Sequence, residues 1–148
     1  MSVHVEVVRE ATDELAAAMG RLLPQLSANA IQPDRQAVQR MIGSEATTLL
    51  AARLDGRIVG LLALAMFPIP TGFRAWIEDV IVDQSARGQG IGEALTREAL
   101  DLARAAGART VDLTSRPSRE AAGRLYERVG FAARSTRIYR YTFDTPPP

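Results

Sequence analysis

The chain has 148 residues, of which 47% are apolar and 24% are charged, and its formal net charge is +1 at pH 7. These values are ordinary for one soluble globular domain large enough to bury a core, and they give no sign of a nucleic-acid partner. The absence of cysteine excludes disulfides and thiolate chemistry, and a single histidine, His4, argues against a His-based triad or a metal site.

No segment has the features of a leader or a membrane anchor. The N-terminus lacks a charged region followed by a long apolar one, so no signal peptide is expected. The longest apolar run, Ile58 to Ile69, is too short to cross a bilayer and contains Gly60 and Pro68. We therefore predict a cytoplasmic protein with no membrane partner.

The first half of the chain predicts strands and helices in an order that includes one clear hairpin. Alternating polarity indicates a strand, apolar residues at helical spacing indicate a helix, and an Asp-Gly pair between two apolar runs indicates a hairpin turn. The predicted elements are a strand at 3–8 that contains His4 at a sheet edge, a helix from Thr12 or Asp13 that weakens at Pro24, a loop at 27–33, a helix at 34–42 capped by Asp34, hairpin strands at 47–54 and 57–67, a loop at 68–73 and a strand at 75–83.

The second half predicts a strand–helix alternation. The elements are a helix that follows a glycine turn and ends at Gly107, a strand at 109–115, a helix at 118–130 capped by Ser118, and β-rich sequence at 131–133 and 136–143. A hairpin favours antiparallel pairing, whereas a strand–helix–strand unit favours a parallel crossover. We predict one α/β domain at 1–143 with a mixed, mostly antiparallel sheet and about four helices, followed by a flexible proline-rich tail at 144–148.

The glycine turn at residues 87–92, with the sequence RGQGIG, is the first candidate for a functional site. The N-terminus of a helix leaves N–H groups unpaired and attracts anions, and glycines there let a phosphate approach the amides. The spacing fits neither the dinucleotide fingerprint GxGxxG nor the phosphate loop GxxxxGK[ST]. From these residues alone, a plain tight turn and a phosphate site are both open.

Two motifs together resemble the GNAT superfamily of N-acetyltransferases. Residues 80–95, VIVDQSARGQGIGEAL, resemble its acetyl-CoA motif, a strand followed by Arg/Gln-x-x-Gly-x-Gly/Ala at a helix start, carried here by Arg87, Gly90 and Gly92. Residues 118–131, SREAAGRLYERVGF, resemble the helix of the family that ends in Leu-Tyr-x-x-x-Gly-Phe. The motifs cover residues 76–131, and the order of elements is similar over essentially the whole chain.

The resemblance implies that acetyl-CoA is the co-substrate and that no metal takes part. The pyrophosphate of acetyl-CoA would lie on the amides of the glycine turn. The pantetheine arm of acetyl-CoA would pair with a strand edge that is exposed where two parallel strands splay apart. The residues implied in cofactor binding are Val80, Ile81, Val82, Arg87, Gly88, Gln89, Gly90, Ile91, Gly92 and Arg119. Arg119 departs from the family, because many members have asparagine at this position.

The resemblance also implies direct attack of an amine on the thioester, with one general acid and one general base. Tyr126 matches the tyrosine that commonly acts as the acid, although a core-facing aromatic residue would look the same. Glu78 and Asp79 are the candidate bases, and a surface salt bridge is the other explanation. On a regular strand the two point to opposite faces, Glu78 with Val80 and Val82 and Asp79 with Ile77 and Ile81. We favour Glu78, because base carboxylates in the resembled family often come from this strand. A bulge would invalidate the argument from opposite faces.

The amine acceptor is expected between the first two helices and the loop before the third long strand. The polar residues available there are Gln25, Ser27, Asn29, Thr71, Arg74 and Trp76. Few acidic residues occur among them, which argues against polyamines and basic protein tails. Members of the resembled family often dimerise, and residues 136–143 are the candidate for that contact.

Three functions are open at this point. The first is acetylation of a primary amine on a small molecule or a peptide. The second is a module of the same fold that binds acyl-CoA without turnover, as a sensor or an interaction protein. The third is another nucleotide-binding α/β domain, which would not need the Leu-Tyr-x-x-x-Gly-Phe helix. Tyr126 and the two carboxylates favour the enzyme.

Overall fold

The computed structural model of the protein describes residues 2–116 and 118–143. Its elements are, in chain order, β1 (Val3–Val7), α1 (Asp13–Leu26), α2 (Arg35–Gly43), β2 (Thr47–Leu54), β3 (Arg57–Ile69), β4 (Gly72–Val82), a 3-10 turn (Gln84–Ala86), α3 (Ile91–Ala105), β5 (Val111–Asp112) and α4 (Glu120–Val129). The predicted tail at 144–148 lies outside the described residues.

The five described strands form one mixed sheet in the order β1-β2-β3-β4-β5. The first three pairings are antiparallel, and β4 pairs with β5 in parallel. Because β1 lies at one end of this order, His4 is on an edge strand, as predicted. The predicted α/β class, with a mostly antiparallel sheet and four helices, is confirmed.

Helices cover both faces of the sheet, and the core is therefore divided into two layers. Alternate residues of β2 show the division, since Leu50 packs with Ile91 and Leu95 of α3, whereas Leu49 packs with the residues of α1 and α2. A strand that is buried on both faces has no polar side. This explains why β2 and β3 form near-continuous apolar runs in the sequence.

Local sequence signals account for the turns and caps around this core. Asp55 and Gly56 have φ values of 51° and 85°, the left-handed geometry that a two-residue hairpin turn requires. The side chain of Thr12 accepts a hydrogen bond from the amide of Leu15, and that of Asp34 accepts one from Ala37, at the starts of α1 and α2.

Two element boundaries in the first half of the chain differ from the prediction. Helix α1, which was predicted to weaken at Pro24, continues through this residue to Leu26. The predicted loop at 68–73 is shorter, because β3 extends to Ile69 and β4 starts at Gly72. Strand pairing continues there through Pro68, which lies opposite Phe73.

Three boundaries in the second half also differ. The strand predicted at 109–115 is limited to Val111–Asp112. The N-cap residue of α4 is Arg119, with no side-chain hydrogen bond, where Ser118 was predicted. Among the described residues, 131–143 contain no strand, and the β-rich prediction was wrong there. Strand β5 has two residues, so it offers almost no edge with which residues 136–143 could pair. Tyr139 is 87% exposed, so little packs against residues 136–143.

Candidate active site

The glycine turn leaves the start of α3 open. Gly88 and Gly90 have φ values of 79° and 80°, which disfavour a residue with a side chain, and Gly90 is the N-cap residue of α3, without a side-chain cap. A Cβ atom added at either glycine would meet no atom within 4 Å. These glycines are therefore required by the backbone, and the space beside the first-turn amides of α3 is free for an anion.

Gly92 has a different structural role from Gly88 and Gly90. A Cβ atom at this position would lie 3.2 Å from Cδ1 of Leu125 and 3.6 Å from Cγ2 of Val82. The missing side chain therefore lets α4 pack closely against α3. The amide of Gly92 still belongs to the first turn of α3, so it can also contribute to an anion site.

The remaining predicted residues of the turn differ in burial. Arg87 is exposed and Ile91 is 1% exposed, so the side chain of Ile91 belongs to the core and only its amide can face a ligand. Gln89 is half-buried, and its Oε1 atom is buried without a hydrogen-bond partner among the described residues. A buried oxygen without a hydrogen bond destabilises a folded protein, and the one on Gln89 lies within the glycine turn.

Strands β4 and β5 separate soon after they pair. Their pairing in the described residues is limited to Ala75 with Val111 and Trp76 with Asp112. From Ile77 onwards β4 pairs with β3 alone, so the other edge of Val80–Val82 has no strand against it among the described residues. The predicted splayed parallel pair is confirmed, and its gap lies beside the end of β4 that leads into the glycine turn.

A bulge in β4 changes which side chains of this strand point to each face of the sheet. Leu61 pairs with Ile81 and Ala63 pairs with Glu78, so β4 uses three residues where β3 uses two. Asp79 lies inside this irregularity with φ of 51°, in the left-handed region that costs a residue with a Cβ atom about 1–2 kcal/mol.

The prediction that side-chain direction separates Glu78 from Asp79 was therefore wrong. Glu78 lies opposite Ala63, and Ile81 opposite Leu61, so Glu78 shares the α1/α2 face of the sheet with Ile81. Val80 packs instead in the layer on the α3 face. Glu78 and Asp79 are both exposed, and the bulge lets both reach the α1/α2 face.

A cavity of about 420 Å³ lies on that face, between α1, the loop at 27–33, α2 and strands β2 to β4. Asp79 is the one charged residue in its described lining, and Ser27 is the one other polar residue. Of the polar residues predicted near the acceptor, Ser27 alone lines this cavity. Arg74 instead forms an ion pair with Asp112 at 2.8 Å and stacks over the ring of Trp76 at 5.2 Å.

Tyr126 lies on α4, on the α3 side of the gap. The carbonyl of Tyr126 accepts hydrogen bonds from the amides of Gly130 at 3.1 Å and Phe131 at 2.9 Å. The φ of Gly130 is 123°, and this turn brings the ring of Phe131 edge-on to Tyr126 at a centroid distance of 5.8 Å. The Gly-Phe pair of the motif therefore fixes the tyrosine ring.

Burial raises the pKa of the Tyr126 hydroxyl, and the charge of Arg119 opposes this effect. The phenol therefore keeps its proton at neutral pH. The positive charge of Arg119 thus acts on the hydroxyl of the candidate acid. Phe131, which Tyr126 contacts, belongs to the layer on the α3 face, whereas Asp79 lines the cavity on the α1/α2 face.

The segment between β4 and α3 is bonded to α1, which sequence reasoning missed. Asp83 is 7% exposed and lies 3.4 Å from the guanidinium of Arg21, and the side chain of Gln25 accepts a hydrogen bond of 2.8 Å from the amide of Gln84. The amide and hydroxyl of Ser85 both donate to the carboxylate of Asp83. The amide of Ser85 is the main reason why the pKa of Asp83 lies below its usual value. The spacing Asp-x-Ser was the available signal for this turn.

The described residues contain no group of three or more His, Asp or Glu residues that could hold a metal ion. None of the described helices has both the length and the apolar character needed to cross a membrane.

The chain belongs to the acetyltransferase (GNAT) family, whose model matches residues 13–131. Glucosamine 6-phosphate N-acetyltransferase of Trypanosoma brucei brucei is 38% identical over 95 residues, which are 62% of this chain and 63% of that protein. N-alpha-acetyltransferase RimI of Mycobacterium tuberculosis is 34% identical over 95 residues, which are 64% of this chain and 58% of that protein. The chain thus spans less than two thirds of the length of these relatives.

Solved structures agree over most of the chain. An acetyltransferase of Trypanosoma brucei superposes with a TM-score of 0.77 at 26% sequence identity, over 95% of this chain and all of that one. The resemblance that the two motifs indicated is therefore confirmed at the level of the family and the fold.

Proposed function

We propose that this protein is an N-acetyltransferase that transfers the acetyl group of acetyl-CoA to a primary amine. The observation that carries this proposal is the uncapped start of α3, with Gly88 and Gly90 in left-handed conformations, beside the free edge of Val80–Val82. The curated relatives, which are named as N-acetyltransferases with different acceptors, support the same chemistry.

The described residues fit the cofactor at both ends of this region. The first-turn amides of residues 90–92 and the exposed guanidinium of Arg87 would hold the pyrophosphate. Those backbone N–H and C=O groups of Val80, Ile81 and Val82 that point away from β3 would pair with the amides of the pantetheine arm. Acetyl-CoA supplies an activated thioester there, and Arg119 would add a positive charge near the phosphates or near Tyr126.

Asp79 is the better candidate for the base, because it lines the cavity and Glu78 does not. An alkylamine with a pKa of about 10.4 is only ~0.1% neutral at pH 7.4, a cost of about 4 kcal/mol. The carboxylate would hold the ammonium group and accept its proton, directly or through a water molecule, so that the neutral nitrogen can attack.

Tyr126 is the candidate acid. Its hydroxyl is protonated at neutral pH, since burial raises a pKa whose usual value of 10.0 already lies well above neutral, and it would donate a proton to the leaving thiolate sulfur. The acid would thus act from the α3 side of the gap and the base from the α1/α2 side. Tyr126 would protonate the thiolate sulfur, whereas Asp79 would accept the proton of the ammonium group.

Calorimetric titration with acetyl-CoA, CoA and NAD tests the cofactor site. We expect micromolar binding of acetyl-CoA and CoA and none of NAD. A screen of amines for thiol release then separates an enzyme from a module that binds without turnover. Absence of binding of both CoA species would overturn the proposal.

Asp79→Asn and Glu78→Gln form a matched pair for the base, because each removes one charge from neighbouring exposed residues of β4. We expect Asp79→Asn to lower kcat by about 10²-fold to 10³-fold and Glu78→Gln to lower it much less. The reverse order would identify Glu78 as the base. A cytoplasmic location and a homodimer through residues 136–143 stay predictions.

A further inference from the structure

We propose that the acceptor is a small primary amine carried by an apolar body, such as a linear alkylamine or an arylalkylamine. The inference rests on the proposed function and names the substrate class of that same site. It follows from the composition of the cavity beside Asp79, which differs from the polar acceptor region that the sequence indicated.

The cavity lining is almost entirely hydrocarbon. Twelve of its fourteen described residues are apolar, including Met19, Leu23, Met41 and Leu61. Two of the side chains that wall it are methionines, which adapt to ligands of different shape. A polar acceptor such as an amino sugar would leave its hydroxyl groups without partners there, which is unfavourable in an apolar site.

The charge of the lining selects for one ammonium group and no anion. Asp79 can neutralise a single positive charge, and no arginine, lysine or histidine is among the described lining residues. A phosphate or carboxylate on the acceptor would therefore be buried without a cation. A polyamine would bring further ammonium groups that the lining does not neutralise.

The polar side chains of the lining also favour a small amine over a peptide. A peptide acceptor carries several amide groups into the cavity along with its terminal amine. Besides Asp79, the described lining offers the side chain of Ser27 alone as a polar partner. An amine with a hydrocarbon body requires nothing beyond the carboxylate and the apolar walls.

A series of linear primary amines, from propylamine to heptylamine, tests the inference through kcat/KM in the thiol-release assay. Each methylene group that enters the cavity should raise kcat/KM about fourfold, the value that corresponds to hydrocarbon transfer out of water. For comparison, 5-aminopentanol, spermidine and glucosamine 6-phosphate should be at least 10-fold poorer than pentylamine. A flat series, or a polar amine that equals pentylamine, would overturn the inference.

A short peptide whose first residue is leucine separates the two sources of an apolar amine. If the acceptor is small, the peptide should be a poorer substrate than isoamylamine, which carries a similar branched hydrocarbon group. A peptide that is the better substrate would overturn the assignment to a small molecule.

Ile31→Asn tests whether the apolar rim of the cavity contributes. Ile31 lines the cavity and is 86% exposed, so a polar residue there does not disturb the core. The variant should lower the preference for heptylamine over 5-aminopentanol by about twofold to fourfold, the effect of burying up to one methylene group. Ile138→Asn, a change of the same kind at a residue that is 64% exposed and not in the lining, should leave the preference unchanged. Equal preference in both variants would contradict the inference.

Binding of the amines in the absence of turnover distinguishes the two proposals. Heptylamine should raise the Tm of the wild-type protein, and the shift should be smaller in the Ile31→Asn variant. If acetyl-CoA binds and no amine releases thiol, but heptylamine still binds, the proposed function fails and the assignment of the cavity holds. If polar amines release thiol and heptylamine does not bind, the enzyme stands and the inference fails.

Discussion

Replacing Tyr126 with phenylalanine removes one hydroxyl group and leaves the ring contacts of α4 in place. The ring stacks edge-on with Phe131 at 5.8 Å, and phenylalanine can make the same contact. The hydroxyl has no hydrogen-bond partner among the described residues. We therefore expect the free energy of unfolding to change by less than about 0.5 kcal/mol.

The expected effect on turnover is much larger. A positioned general acid contributes roughly 10²-fold to 10⁴-fold, and the lower value corresponds to about 2.7 kcal/mol in the barrier. Because burial raises the pKa of Tyr126, its proton is present below the usual value of 10.0 and is lost only as the pH rises through the higher value. The hydroxyl can therefore act as an acid over the whole neutral pH range. The loss of turnover in the Tyr126→Phe variant should be present over the same range.

Steady-state thiol release and calorimetric titration with acetyl-CoA measure the two effects separately. The Tyr126→Phe variant should lower kcat about 100-fold and change the Kd of acetyl-CoA little. Tyr139→Phe is the control, since it removes the same group from a residue that is 87% exposed. Equal turnover in wild type and Tyr126→Phe would refute the assignment of the acid.

Three other changes test the turn and the packing around it. Gly90→Asp, which places a carboxylate in the open space at the start of α3, should weaken CoA binding beyond detection, and unchanged affinity in a folded variant would contradict the phosphate site. Asp83→Asn should lower the free energy of unfolding by about 1.5 kcal/mol at pH 7. Because the pKa of Asp83 is lowered by folding, its contribution is present above the usual value of 3.8 and is lost as the pH falls through the folded value, so urea titrations of the two proteins should converge in acid. Gly60→Ala brings a Cβ atom within 3.0 Å of two buried α3 side chains and 3.2 Å of a carbonyl, and should cost about 1–3 kcal/mol, whereas Gly20→Ala, with no atom within 4 Å, should be neutral or stabilising in the same assay.

The parts of the fold that depend on local chemistry could be predicted from the sequence. The hairpin follows from Asp55-Gly56, where the backbone needs left-handed φ values, and the helix starts follow from the oxygens of Thr12 and Asp34. The glycine turn could be located for the same reason. Each of these features is determined by residues that are neighbours in the chain.

The bulge at Asp79 could not be predicted, because it depends on the register between β3 and β4. Strand β3 is apolar on both faces around it, so a shift of one residue leaves no mark in the sequence pattern of that strand. The length of β5 could not be predicted either, because it depends on how far this strand stays paired with β4. The bonds of Arg21 and Gln25 to the segment after β4 join positions far apart in the chain, and no local signal pairs them.

Helix α1 forms one wall of the cavity beside Asp79 and is also bonded to the segment that leads into the glycine turn. The amide of Gln84 donates to Gln25, so on the proposed function an acetyl-CoA molecule that fixes the turn would also restrain the wall of the cavity. Affinities coupled in this way are reciprocal, and each ligand must change the affinity of the other by the same factor. We expect Gln25→Ala to reduce equally the effect of the amine on CoA affinity and the effect of CoA on amine affinity. Calorimetric titration of CoA with and without saturating amine measures this coupling. Affinity that does not depend on the second ligand in the wild-type protein would show that the two sites act independently despite their shared hydrogen bond.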